Sequence, residues 1–394
     1  MTSAWGSGQG RDWLVLTGDV VIQRPLTAFA PGVRNLLTDA EVTFVNLEAP
    51  LSTAPPVAEK AATQRAHPDR GKDLIDLGVN VVTLANNHLM DCGPQGYRDT
   101  LSALDAAGIT AVGAGDDDAH ARHHAVLASS QGDVAVLGLC AALPPGFAAT
   151  PERPGVAPIR VRQQVSLDPA LAAEQPGMAP FVHTQAVEAD VDAACEAIAA
   201  ARRDASWVVV GVHWGIPEGF APRSYGVLAQ YQRPLAHRLV DAGADLIVGH
   251  HPHAVHPLEV YRGRLIAYSL GNLVFHNWTS LGQASPPAPD ADVDLGHAFP
   301  VEIPTAPYQN PFTGEATRQS VVVCARREGD VTTYRFVPTV MVDGEPAVAD
   351  QAQARDALRR LTDPPLGDWD NGAQAEVAIT HDDTLDCLIG VATA

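Results

Sequence analysis

The chain lacks the features that would place it in a membrane, on nucleic acid or outside the cell. Nowhere in its 394 residues does a window approach the roughly 18 apolar residues that a membrane helix needs. The opening stretch, MTSAWGSGQGRDWLVLTGDV, has no basic n-region and no apolar h-region, so no secretory signal is legible. Basic residues are scarce: 26 Lys and Arg stand against 46 Asp and Glu, and the net charge of −20 argues against nucleic acid and anionic membrane as partners. Cysteine is sparse as well. Cys92, Cys140, Cys195, Cys324 and Cys387 are scattered, odd in number and never spaced CxxC, which fits free thiols in a reducing compartment rather than a disulfide framework. Cytoplasm is therefore the expected location. Charged residues are only 18% and hydrophobic residues 46% of the chain, which argues against general disorder and for a sizeable core.

What the sequence does have is alternation. Short apolar, β-branched runs at 13–17, 42–46, 79–85, 134–140, 207–213 and 245–251 read as buried strands. Between them lie helical patterns: one from about Pro94 through Tyr97, Leu101 and Leu104 to a stop at Gly108, a second over 186–203 and a third over 227–242. The alternation predicts an α/β protein. Beyond Gly249 the runs at 258–261, 264–270 and 320–326, with a turn at Arg262-Gly263, suggest antiparallel strands of a second sheet. Residues 141–180 and 278–316 are rich in Pro and small or acidic residues and read as long irregular loops. No repeat and no clean linker divides the chain, so a single domain over 1–394 with decorated loops is expected.

Five of the apolar runs end in polar side chains able to hold a metal. Thr17-Gly18-Asp19 follows the first, Asn46-Leu47-Glu48 the second, and Asn86-Asn87-His88 the third, with Asp91 three residues on. His213-Trp214-Gly215 ends the run at 207–212, and His250-His251-Pro252-His253 follows Gly249. Each segment alone has an ordinary reading: a turn or cap at Asp19, a surface Glu48, a turn at Asn86-Asn87, a core histidine at His213. Together they fall where open α/β sheets bind ligands, beyond the carboxyl ends of strands. Carboxylate, amide and imidazole donors without thiolate suit zinc, manganese, iron or cobalt.

GDV, VNLEAPL, TLANNHLMDCG, VHWG, DAGADLIVGHHPH and AYSLGNLVF, in that order over about residues 14 to 276, resemble the motif series of the CapA family. That family is named for poly-γ-glutamate capsule biosynthesis and is similar in fold to calcineurin-like metallophosphoesterases. The resemblance implies a four-layer α/β/β/α sandwich holding one or two divalent ions. It makes Asp19, Glu48, Asn87, His213, His251 and His253 metal ligands, with Glu48 at the position that bridges two ions. His88 then stands where related phosphoesterases keep a general acid, Asp91 can orient it, and Asn86 and His250 support the ligands. One departure is visible: metallophosphoesterases usually begin Asp-x-His, whereas Asp19 is followed by Val20 and Val21.

A fold does not fix a reaction. Phosphoester hydrolysis needs a cationic clamp, for which Arg223 is the nearest residue, and a capsule role usually goes with a membrane anchor. The chain also resembles CapA-like enzymes of natural-product pathways that invert the α-carbon of a C-terminal Trp in lasso-peptide precursors. Such acid–base chemistry on a peptide needs a proton acceptor on one face of the carbon and a donor on the other. His88 is the candidate for one face, and His297, near Asp292 and Asp294 in the 278–316 loop, for the other. Trp214, Phe220, Tyr225, His276, Trp278 and Phe299 are candidates to line an apolar substrate pocket, and Cys92 is read as a structural thiol.

Overall fold

The computed structural model describes residues 12–27, 29–60, 62–175, 181–215, 228–276, 315–362 and 376–394. Two sheets dominate. The larger has ten strands. Leu14–Val21 lies near its centre, flanked in parallel by Val42–Leu47, Val81–Thr83 and Thr110–Val112 on one side. On its other side Gln319–Glu328 pairs antiparallel with its first half, and Asn272–Phe275 runs parallel to its last residues. The second sheet has six strands, with Trp207–His213 between Val134–Cys140 and Leu246–His250, all parallel.

Period-two alternation explains why the strands read as unbroken apolar runs. In the larger sheet Leu14, Leu16, Val42 and Phe44 turn inward, and in the smaller one Val134, Val136, Trp207, Val209, Leu246 and Val248 meet them in one cluster. The intervening residues face out. Val15, Val45 and Leu47 pack with Leu36 and Leu37 of the helix Pro31–Thr38 and with Tyr97 and Leu104 of the helix Gly93–Ala106. Val208 and Val210 pack with Ile198 of Glu188–Asp204 and Leu235 and Leu239 of Gln232–Asp241. The order of layers is helix, sheet, sheet, helix, an α/β sandwich as expected. The helix from Pro94 ends as its sequence suggests, with Gly108 at φ 67°.

Two expectations need correction. The antiparallel strands after Gly249 do not form a sheet of their own. Leu258–Tyr261 and Arg264–Ala267 extend the six-stranded sheet, the latter in parallel to Leu246–His250, whereas Asn272–Phe275 and Gln319–Glu328 join the large sheet. Strand pairing is set by non-local packing, to which local pattern is blind. Nor is 141–180 a continuous irregular loop. Val161–Ser166 pairs antiparallel with Phe181–Ala186 as a separate two-stranded ribbon, and the short helix Pro169–Glu174 follows the first of these strands. The ribbon is largely exposed, so it lacks the apolar signal of a core strand. The 278–316 loop lies outside the described residues, save its last two. Among the described residues no helix is long and apolar enough to cross a membrane.

The sheets approach closely where glycines remove side chains from the interface. A Cβ on Gly138 would stand 2.9 Å from Gly113 Cα and collide with the Thr83 hydroxyl, and one on Gly211 would stand 2.7 Å from Phe44 Cζ. Gly138→Val should therefore destabilise the fold by about 1–3 kcal/mol or more through overpacking. The check is the urea midpoint, which should fall while the slope of the transition stays unchanged.

Candidate metal centre

Six donors named from the sequence converge where the two sheets' strand ends meet. Asp19 comes from the carboxyl end of Leu14–Val21, where the pairing register shifts and Gly18 lets the backbone pass against Gly271. Glu48 follows Val42–Leu47, and Asn87 lies in the loop after Val81–Thr83. His213 ends its strand in the other sheet, and His251 and His253 follow Leu246–His250. The loop carrying the last two is unusual: His251 at φ 98° and His253 at φ 53° both adopt a left-handed backbone that a side chain ordinarily avoids. Such conformations cost about 1–3 kcal/mol each and persist where the surroundings enforce them, here to aim two imidazoles inward.

The donors form two groups that share one carboxylate. Glu48, His213 and His251 bring ligand atoms within 4.8 Å of one another, and so do Asp19, Glu48 and His253. In the first group His213 Nε2 lies 3.0 Å from Asn87 Oδ1, 3.0 Å from His251 Nδ1 and 3.4 Å from Glu48 Oε1. In the second, His253 Nδ1 lies 3.3 Å from Asp19 Oδ2, and its Nε2 lies 3.8 Å from Glu48 Oε1. Glu48 is wholly buried, and neither of its carboxylate oxygens takes part in a hydrogen bond. A buried carboxylate in that condition costs several kcal/mol unless a cation offsets it. The O/N donor set fits a divalent ion of the zinc, manganese, iron or cobalt class.

The supports are also placed. Asn86 Nδ2 donates to the Leu47 carbonyl at 2.8 Å, while Asn86 Oδ1 accepts the amides of His88 and Leu89 at 3.0 Å, fixing the loop that carries Asn87. His250 Nε2 lies 3.1 Å from the Thr17 carbonyl and so ties the two sheets together behind Asp19. His88 faces the edge of the centre: its Nε2 is 4.0 Å from Glu48 Oε1, and its Nδ1 is 2.7 Å from Asp91 Oδ2. His297 lies outside the described residues, as do Arg223, Asp292 and Asp294 and the pocket candidates Phe220, Tyr225, Trp278 and Phe299. Of the remaining pocket candidates, Trp214 is fully buried with its indole N–H on the Tyr268 carbonyl, so it packs the second sheet. His276 accepts the amides of Gln23 and Arg24, a structural role. Cys92 is a buried free thiol, and burial raises its pKa, as expected of a structural residue.

Two residues, Asn272 and Lys60, were missed, and Asn46, named with its strand end, had been given no role of its own. Asn46 Nδ2 donates to Asp19 Oδ1 at 2.7 Å and lies 3.3 Å from His213 Nδ1, joining the two donor groups from beneath. Asn272 Oδ1 sits 2.7 Å from His253 Nδ1. Lys60 spans the His88 side: its Nζ is 2.7 Å from Asp91 Oδ1, 3.0 Å from His88 Nδ1 and on the Asn87 carbonyl. An asparagine interrupting an apolar strand was a readable signal for Asn46, and the Leu-Gly-Asn step after a strand was one for Asn272. Lys60 had none.

Burial dominates the electrostatics. It pushes His88 down to about 4 despite the Asp91 carboxylate, and pushes His213 and His251 well below the ordinary imidazole value, helped by neighbouring imidazoles. Glu48 is pushed well up by burial and by the Asp19 carboxylate. His253 is the exception: burial would lower it, but Glu48 and Asp19 outweigh that and lift it to about 9. Without a cation, the centre thus holds a proton among two carboxylates and one imidazole.

The family described as bacterial capsule synthesis protein PGA_cap matches residues 13–277, the stretch that supplies every donor. A probable polyglutamine synthesis accessory protein of Mycobacterium tuberculosis is 35% identical over 60% of this chain and 56% of its own length. The PGA biosynthesis protein CapA of Bacillus subtilis is 35% identical over 56% of this chain and 50% of its own. The chain thus spans about half the length of these relatives. An uncharacterised protein of Sinorhizobium fredii is 28% identical over 88% of both chains.

Because Glu48 belongs to both donor groups, Glu48→Ala should abolish stoichiometric manganese or zinc binding, whereas His251→Ala, which touches one group, should leave the other able to load; metal analysis after gel filtration reads both. Cation uptake at pH 7 should also release about one proton, because His253 must give its proton up to become a ligand. That release should vanish above about pH 9, where the imidazole is already neutral, and affinity should rise with pH up to that point. Binding enthalpies measured in buffers of different ionisation enthalpy test this, and buffer-independent values at pH 7 would contradict it.

Proposed function

The chain belongs to the bacterial capsule synthesis protein PGA_cap family, and from that premise we propose that it is a metal-dependent acid–base enzyme acting on a peptide, epimerising the α-carbon of the C-terminal residue. The observation that carries this reading is the placement of His88. Its Nδ1 is held by Asp91, which Lys60 pairs in turn, and its Nε2 points to the rim of the donor set, where a molecule gripped at the centre would present its reacting carbon. Asp19, Glu48, Asn87, His213, His251 and His253 would hold the cation. When bound, a divalent ion there supplies Lewis acidity toward a substrate carboxylate and so acidifies the adjacent C–H.

His88 would take the α-proton, or return it, from one face, a role contributing about 10² to 10⁴ in rate. Asp91 fixes its tautomer and orientation, and Lys60 fixes Asp91. Inversion needs a second group on the opposite face, for which His297 remains the candidate. Relatives named for polyglutamine and PGA synthesis favour a substrate built of linked amino acids, and they support a second reading, a part in making capsule polymer. The same donor set also permits phosphoester hydrolysis, with Lys60 as the nearby cation.

The test uses the manganese-loaded protein and peptides with a free C-terminal carboxylate in deuterated water. Deuterium should enter the C-terminal α-position and the D-epimer should accumulate, and His88→Asn should cut the rate by about 10²-fold or more with full metal content. No exchange across the panel, together with phosphate release from p-nitrophenyl phosphate, would replace epimerisation by hydrolysis.

A further inference from the structure

A groove of about 420 Å³ opens on the surface beside the centre, between the loop at 57–60, the start of the helix Gly93–Ala106 and the turn at 144–147. Its walls include Val57, Met90, Pro145 and Phe147, with Arg153 at the rim and the stem of Lys60 along one side. Four of its lining residues are prolines, whose fixed φ makes the walls stiff.

Two links join this groove to the acid–base apparatus. The Val57 and Ala58 amides both donate to the Asp91 carbonyl, at 2.7 and 3.1 Å, so one wall is anchored to the residue that orients His88. Lys60 is common to both places: its ammonium lies over the Phe147 ring at 5.2 Å from the centroid while contacting Asp91, His88 and the Asn87 carbonyl. A single lysine side chain thus separates the groove from the reacting end of the site.

We propose that this groove is the specificity subsite, taking a large apolar side chain at or next to the C-terminal residue of the substrate peptide; the assignment rests on the reading of the centre as one that acts on peptides. An aromatic side chain buries about 150–250 Å², which a cavity of this size and apolar lining accommodates. Stiff walls reduce the ordering cost of binding it. Arg153, exposed at the mouth of a strongly acidic protein, gives the groove a cation to meet the carboxylate of an incoming peptide, set against the exposed Glu59 that also lines it.

The experiment is calorimetry on the manganese-loaded full chain with the tripeptides Gly-Gly-Trp, Gly-Gly-Leu and Gly-Gly-Gly, each with a free carboxylate, repeated on Val57→Glu. Val57 is 63% exposed, so the variant should fold and load metal as the parent does. Gly-Gly-Trp should bind at least tenfold more tightly than Gly-Gly-Gly, with Gly-Gly-Leu between them, and Val57→Glu should reduce that preference to less than threefold. Equal affinity for the three peptides, or a preference that survives Val57→Glu, would overturn the assignment. Deuterium uptake without side-chain preference would sink the groove and spare the proposed reaction. Groove-dependent binding without deuterium uptake would do the reverse.

Discussion

A carboxylate sealed from water and taking part in no hydrogen bond is the constraint around which this molecule is arranged. Glu48 sits between two donor groups, each supplying imidazole and oxygen, and its burial is relieved either by positive charge beside it or by the proton that its raised pKa favours. The surrounding features follow from that demand. His253 holds a proton well above the ordinary range, and Asn46 and Asn272 spend their amides on orienting neighbours. Two histidines accept left-handed backbone to reach inward. Strained geometry and perturbed ionisation concentrated in one place are the features on which the proposal of a functional site rests.

The fold serves this by bringing the carboxyl ends of parallel strands from two sheets to one rim. Asp19, Glu48 and Asn87 come from the large sheet, while His213, His251 and His253 come from the smaller one. Neither sheet alone has a complete donor group. The glycines at the interface keep the sheets near enough for a single carboxylate to serve both sides.

Much of this was legible from residues alone, and the reason is local. Strands buried on both faces write continuous apolar runs, and strand ends in open sheets are where ligands bind, so Asp19, Glu48, Asn87 and the His250–His253 cluster could be read together. The allocation of later strands to sheets was not legible, because Asn272–Phe275 joins Leu14–Val21 through long-range pairing that leaves no periodic mark. The ribbon of Val161–Ser166 and Phe181–Ala186 was missed because its polar, exposed residues look like loop. Lys60 was invisible for a similar reason: it comes from an irregular segment, and its partners lie about thirty residues on.

The division of donors between the two sheets bears on how the protein matures. During synthesis the chain emits Asp19 early and His253 late, and no cation can be gripped by a full set until both sheets have formed and docked. A donor set divided in this way exists only in the finished sandwich, and sheets docked out of register would not assemble it.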